Sequence, residues 1–145
     1  MQAFNPPDPG FESRVRSSFN LQQLMKTISA KLVTVSPGEV HIEIPYQEAL
    51  TQQNGFIHAG IITSIVDSAC GYAAYSLMAA ASGVLTVEFK INLLSPAIGE
   101  RFIAIGRVKK PGRTLTVCEG DVFAHTQSEE KLVATMLATM MRLST

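Results

Sequence analysis

The chain has 145 residues, 46% of them hydrophobic, and its twelve basic side chains balance twelve acidic ones. That length and apolar content suit one compact domain whose core is stable without staples. The cancelled charge excludes the strong field that draws proteins to nucleic acid or to an anionic membrane surface, so neither partner is expected.

Residues 1–10, with Pro6, Pro7 and Pro9, cannot hold a helix or an internal strand and read as a flexible tail, leaving residues 11–145 as the single domain. No continuous apolar stretch of signal-peptide length occurs in residues 1–28, and a cytoplasmic location is the expectation. Two helical stripes follow, Phe11/Val15/Phe19 and Leu21/Leu24/Met25/Ile28, with Asn20 between them as a cap: one broken helix or two short ones. Residues 30–35 and 40–45 flank Ser36-Pro37-Gly38-Glu39, where proline presets one central angle of a type II turn and glycine supplies the positive φ of the other. Val40, Ile42 and Ile44 alternate with Glu39, His41 and Glu43, which predicts a strand with one wet face and a solvent-facing, inert His41.

The run Gln52 to Gly60 then enters a nearly all-apolar segment, residues 61–81, whose only acid or base charged at neutral pH is Asp67. Residues 57–81 approach membrane-span length, yet His58, Asp67 and glycines interrupt them, and the segments that follow alternate like strands of a sheet. A buried central helix is the reading. Residues 83–94 alternate Leu85/Val87/Phe89/Ile91 with Thr86/Glu88/Lys90/Asn92, a half-buried strand. Residues 102–108 and 115–124 form a second hairpin around Lys109-Lys110-Pro111-Gly112-Arg113, and residues 132–143 supply the last strand. The order suits an α+β fold, one antiparallel sheet curled around the central helix with an additional N-terminal helix. A helix apolar on nearly every side must be covered all round, and one curved sheet covers only part of it, so a partner subunit is implied.

Asp67 is the most informative residue. Moving a carboxylate out of water costs several kcal/mol unless it is paired or neutralised, and an apolar helix gains nothing structural from it. At helical spacing its neighbours are Gly60, Thr63, Ser64, Cys70, Gly71 and Ala74, all small, which predicts a shallow channel beside the acid. The first amides of that helix are unpaired donors at its positive end and can hold an oxyanion. A base or nucleophile plus an electrophilic clamp is the minimal kit for acyl transfer, and hydrolysis of an activated acyl group fits. Against this stands a bland role for Asp67, bonded to backbone amides or to Ser64 or Ser68. His58, at the helix entry, reads more readily as a turn-shaping hydrogen-bond partner than as a proton carrier. Cys70 and Cys118 lack zinc-site spacing and read as buried, reduced thiols, so no metal is expected; Tyr72 and Tyr75 read as packing groups.

On these residues the chain resembles the PaaI-like (phenylacetic acid degradation type) branch of the hotdog-fold acyl-CoA thioesterases, over roughly residues 32–143. The resemblance rests on Gln52 six residues before His58, on Ala59-Gly60 after it, and on Asp67 nine residues beyond it. The family's usual Gly-Gly is here Ala59-Gly60, a change that keeps the amide donor. The resemblance implies Asp67 as general base or nucleophile, Gln52 orienting water or thioester, the Ala59 amide polarising the carbonyl, and Gly60 letting backbone approach, with Gln53 and Asn54 competing with Gln52 as the site amide. It places residues 84–92, with Thr86 and Asn92, near the acyl pocket, and Gly112-Arg113-Thr114 near CoA, so that Lys109, Lys110 and Arg113 become a candidate phosphate patch or an ordinary basic hairpin tip. Phe56, Tyr72 and Leu77 are candidate acyl contacts. It also implies a site shared across a homodimer, with a homotetramer expected, and no cofactor beyond the CoA of the substrate. A hotdog dehydratase is disfavoured, because the proline-rich entry and paired His/Glu of that class are missing. The competing reading is a non-catalytic acyl-CoA or acyl-group binding hotdog protein, with a structural dimer carrying a vestigial site as the third.

Overall fold

Strand alternation sets the architecture. In the computed structural model, which describes residues 2–144, Val40, Ile42 and Ile44 are fully buried, while Glu39, His41 and Glu43 lie on the opposite face of β2 (Glu39–Pro45). Met1 of the expected tail and Thr145 lie outside the described residues. The elements in order are α1 (Phe11–Leu21), α2 (Gln23–Thr27), β1 (Lys31–Ser36), β2, α3 (Ala59–Tyr75), β3 (Ser82–Leu93), β4 (Arg101–Lys110), β5 (Leu115–His125) and β6 (Glu130–Ser144). All strand pairs are antiparallel, and the sheet runs β1-β2-β4-β5-β6-β3. It curls about α3, which packs on β2, β3, β4, β5 and β6, so the hotdog arrangement expected from the resemblance is the one observed. No helix among the described residues is long and apolar enough to cross a membrane.

The first hairpin turns where Pro37-Gly38 predicts, with Gly38 at φ +78 as a type II turn requires. Gly38 also carries the Phe4 ring, which a Cβ there would meet at 2.6 Å, and its amide donates to Ser76 Oγ at 2.8 Å. This ties the turn to the end of α3, which stops at Tyr75 although the apolar run continues to Ala81.

Three expectations need correction. The break in the first helix falls at Gln22, extended at ψ 104, while Asn20 lies inside α1 and caps nothing. The resulting turn buries Met25 and Ile28 but leaves Leu21 77% and Leu24 47% exposed. His41 is half-buried, with Nε2 2.7 Å from Glu39 Oε1, and Glu39 also accepts from Arg107 Nε at 3.0 Å. The third correction concerns β3: Leu85, Val87 and Phe89 are exposed on what the alternation predicts to be a buried face. β3 is a sheet edge, paired among the described residues only with β6, and its register slips between Thr86 and Glu88, which leaves these side chains uncovered.

How closely α3 sits on the sheet depends on two glycines that periodicity does not reveal. Gly106 of β4 and Gly120 of β5 face each other across the strands, and a Cβ on Gly106 would stand 2.3 Å from the Ala69 carbonyl carbon. On Gly120 it would meet Val66 Cγ2 at 2.5 Å. The Gly106 obstacle is helix backbone, which cannot swing aside. Gly106→Ala is expected to destabilise the fold by about 1–3 kcal/mol through overpacking, measured as a lowered urea midpoint at unchanged m-value.

Candidate active site

The loop before α3 folds tightly on itself: the Gln52 amide donates to Phe56 O at 2.8 Å, the Gly55 amide to Gln52 O at 3.0 Å, and Gly55 takes φ +83. The Asn54 amide in turn donates to the Gln52 side-chain oxygen. That bond orients the side-chain amide, and its nitrogen, which has no acceptor among the described residues, is free to donate to a ligand. Gln52 lines a cavity with Phe56, Ala59, Ile62 and Leu93, whereas Asn54 is exposed and outside it.

His58 caps α3. Its Nδ1 accepts from the Gly60 amide at 2.8 Å, an assignment that puts the ring proton on Nε2. The Gly60 amide is thereby consumed, but among the described residues no hydrogen bond uses the Ala59 amide. Of the donors expected at the helix start, Ala59 is therefore the one left facing a cavity. Ser64 points its hydroxyl at Gly60 O, 2.7 Å away, and does not line the cavity that holds Asp67.

Asp67 lies two turns further along α3 in a second cavity, with Ser18, Gln22, Ser68, Tyr72 and Thr86 among its walls. Its Oδ1 accepts from Thr86 Oγ1 at 2.7 Å, and no described residue donates to Oδ2. Burial raises its carboxyl above the ordinary aspartate value, and the Thr86 bond opposes that rise. The bland role, an acid locked by backbone amides or by Ser64 or Ser68, is not what the geometry shows: Ser68 Oγ donates to Gln22 instead. Of the small neighbours expected around Asp67, only Gly71 lines its cavity; the rest of the wall comes in equal parts from the end of α1 with the break after it, from β3, and from Ser68, Tyr72 and Tyr75 of α3 itself.

Eight residues separate Ala59 from Asp67 on one helix, which at 1.5 Å per residue is about 12 Å. A single chain holds Asp67 in one cavity and Gln52 with Ala59 in another. Of the remaining candidates, Asn92 is exposed and accepts from Lys90 Nζ at 2.6 Å, and Leu77 packs under the Gly38 turn, away from both cavities. Phe56 and Tyr72 each line a cavity, one apiece; Tyr75 also lines that of Asp67 and carries the Arg14 guanidinium 4.3 Å from its ring centre. At the β4–β5 turn Lys109 is paired with Glu119 at 3.0 Å, while Lys110 and Arg113 are exposed and have no ionic partner among the described residues.

Cys70 and Cys118 are fully buried, and burial pushes the Cys118 thiol up to about 12 and that of Cys70 well above the ordinary thiol value. Both are inert as nucleophiles. Among the described residues no three His, Cys, Asp or Glu side chains gather as metal ligands would.

Sequence reasoning missed Ser18 and Gln22. No local signal marks them, because they reach Asp67 only through the docking of α1 on α3.

Residues 54–131 match the sequence profile of the Thioesterase superfamily. A thioesterase family protein from Silicibacter pomeroyi, solved by crystallography, is 52% identical, superposes with a TM-score of 0.93, and is matched over 94% of this chain and all of its own. Acyl-coenzyme A thioesterase 13 of Homo sapiens is 31% identical over 104 residues, 71% of this chain and 72% of that one. The PaaI protein from the phenylacetic acid degradation operon of E. coli shares the fold at a TM-score of 0.83, with 16% identity and 92% and 94% of the two chains covered.

Proposed function

Because the chain belongs to the thioesterase superfamily, has the hotdog fold and is a thioester hydrolase, we propose that it hydrolyses acyl-CoA to free acid and CoA with Asp67 as the reacting carboxylate. The observation that carries this reading is the half-satisfied acid itself: one oxygen held by Thr86, the other without a donor among the described residues, in a cavity. Burial keeps the carboxylate poorly solvated and therefore more basic than a surface aspartate, which suits proton abstraction near neutral pH.

In the proposed cycle Asp67 takes a proton from water, and the hydroxide formed adds to the thioester carbonyl carbon. The carbonyl oxygen gains the negative charge and is received by the Ala59 amide and the Gln52 side-chain nitrogen. Collapse of the tetrahedral adduct breaks the C–S bond, and the thiolate of CoA leaves with the proton that Asp67 holds. The carboxylate is then restored. The CoA arrives as part of the substrate, and the chain supplies the remaining groups.

Since Asp67 and Ala59 occupy separate cavities of one chain, the site is completed by a second copy, Asp67 of one facing Gln52 and Ala59 of the other. The unpaired edge of β3 supports this assembly. Its twelve residues expose Leu85, Val87, Phe89 and Leu93, and Thr86 on the same strand holds Asp67. Pairing two such edges satisfies their backbone groups and covers the apolar side chains. A further association of dimers into a tetramer belongs to the same proposal.

The test is thiol release from a panel of short, long and aryl acyl-CoAs, for which steady release from at least one is expected and binding without release from all would overturn the reading. With Lys110 and Arg113 as the phosphate contacts, the double replacement Lys110→Ala/Arg113→Ala raises KM about tenfold, an effect of about 1.4 kcal/mol. Added salt weakens the wild type towards the variant. An unchanged KM would leave the two residues as an ordinary hairpin tip.

A further inference from the structure

The end of α1 that walls the Asp67 cavity is seated by contacts at the start of that helix. Arg14 donates from Nε to Asp8 Oδ2 and from Nη2 to Met78 O, at 2.8 Å each, which clamps α1 to the end of α3. Its Nη2 also lies 3.4 Å from Tyr75 O, and the centre of the guanidinium stands 4.3 Å over the Tyr75 ring. Helix α3 has no basic residue in its own last turn, so Arg14 supplies the positive charge that the carbonyl end of a helix favours. Asp8 is itself fixed just ahead of α1: its Oδ1 accepts from the Gly10 amide at 2.9 Å, and its carbonyl oxygen accepts from the Phe11 amide at 3.2 Å.

Aromatic rings carry the clamp to the cavity. Tyr75 meets Tyr72 edge-on with ring centres 6.3 Å apart, and Tyr72 meets Phe19 of α1 edge-on at 6.0 Å, so a cation and three rings run from the start of α1 across α3 and back to the end of α1. Tyr72 and Tyr75 line the Asp67 cavity, and Ser18, Leu21 and Gln22 close it from α1 and the break after it. Arg14 Nη1, meanwhile, is buried with no hydrogen-bond partner among the described residues, a cost that an apolar side chain at this place would avoid. The cation is kept in spite of it.

Water is what would best hold the charge of Asp67, and the α1 wall keeps water off; burial of this kind is the first cause of its raised carboxyl. The other titratable side chains around the cavity are Tyr72 and Tyr75, with Cys70 nearly one turn along α3, and neither α1 nor β3 puts a charged side chain into the wall. Solvent access therefore governs this acid, and α1 governs solvent access. We propose that Asp8 and Arg14 are positioning residues for the reaction, their clamp holding α1 as the wall that keeps water from the reacting carboxylate. The inference rests on Asp67 being that carboxylate. With the clamp broken, the end of α1 lifts from α3 and water reaches Asp67, which becomes a weaker base and is held less well towards the substrate.

The test is the pH profile of thiol release, with whichever of hexanoyl-, palmitoyl- and phenylacetyl-CoA the wild type cleaves fastest as substrate. Asp8→Ala and Arg14→Met are each expected to lower kcat by about tenfold to a hundredfold, as a displaced reacting group does. Each also moves the acid limb of kcat/KM, which reports the base of the free enzyme, to lower pH, towards the 3.8 of an ordinary aspartate. Asp8→Ala adds little to Arg14→Met, because the two residues share one clamp. Asp8→Ala leaves Arg14 its bonds to α3 and so guards against a fold defect in the other variant. A contact that served the fold alone would lower the melting temperature and leave the acid limb in place. An unmoved limb in the folded variants overturns the clamp, and inactivity of Asp67→Asn alongside it leaves the reading of Asp67 standing. Wild-type turnover by Asp67→Asn, or no release from any of the three thioesters by wild type, overturns both together.

Discussion

Asp67→Asn is expected to lower kcat by about 10²–10⁴-fold, the usual contribution of a positioned general base, while raising the melting temperature at neutral pH. The amide keeps the shape of the carboxylate and still accepts from Thr86 Oγ1, so the cavity is preserved, but it cannot take a proton from water. The stability gain follows from the raised carboxyl. Burial lifts the folded-state value above 3.8, so the folded chain binds a proton that the unfolded chain has released, and stability falls as pH rises from 3.8 through the raised value. At neutral pH the wild type bears that loss in full and the asparagine variant bears none of it. Below 3.8 the carboxyl is protonated in both states, and the two melting temperatures converge. A variant that melts higher, converges with wild type in acid and releases no thiol is the signature of an acid held for chemistry at the expense of the fold. Wild-type turnover by the folded variant would remove Asp67 from the mechanism; a lower melting temperature would return it to an architectural role.

What the residues disclosed before any coordinates was chiefly local. The Pro37-Gly38 turn, the buried Val40/Ile42/Ile44 face and the apolar helix carrying Asp67 all follow from chemistry within a few neighbours, and all are present in the fold. What stayed hidden depends on contacts distant in sequence. The placement of β3 beside β6 at the sheet edge turns an alternation that reads as half-buried into an exposed strand, and no pattern within residues 82–93 says which edge it occupies. Gly106 and Gly120 look like interruptions in their strands until α3 is laid across them. The channel beside Asp67 was legible as space, and the family resemblance brought Thr86 of β3 near it, but helical spacing reports only neighbours on the same helix and gave no sign of Gln22, which arrives from the break after α1. Gln22 has a further disguise. It occupies a helix break, where polar residues are commonplace, and only contacts distant in sequence, the Arg14 clamp and the Phe19–Tyr72 ring pair among them, bring that break to the site.

A mixture of two inactive variants is expected to regain activity if the site spans two copies. One variant is Asp67→Asn. The other is Ala59→Pro, which removes the helix-start amide that faces the Gln52 cavity. Proline is well suited to that position, since Ala59 is the first residue of α3, where no intrahelical acceptor is lost, and His58 before it sits at φ −58, ψ 137, as a residue preceding proline prefers. The fold should therefore survive while kcat drops by about 10²–10³-fold, the effect of losing one oxyanion donor. In a dimer of one chain of each kind, one site joins the two substituted positions, and the other joins an intact Asp67 to an intact Ala59. Co-expressed with different affinity tags and purified on both, the mixed dimer should show about half the wild-type activity per dimer, one working site in two. Had each chain used its own Asp67 and Ala59, both sites of the mixed dimer would carry one lesion and the activity would stay at the level of the parents. The separation of about 12 Å along α3 already disfavours that arrangement within one copy. Recovery on mixing would establish the shared site, and with it the reason why the β3 edge is left apolar and unpaired: it is the seam across which one chain's acid meets the other's amide.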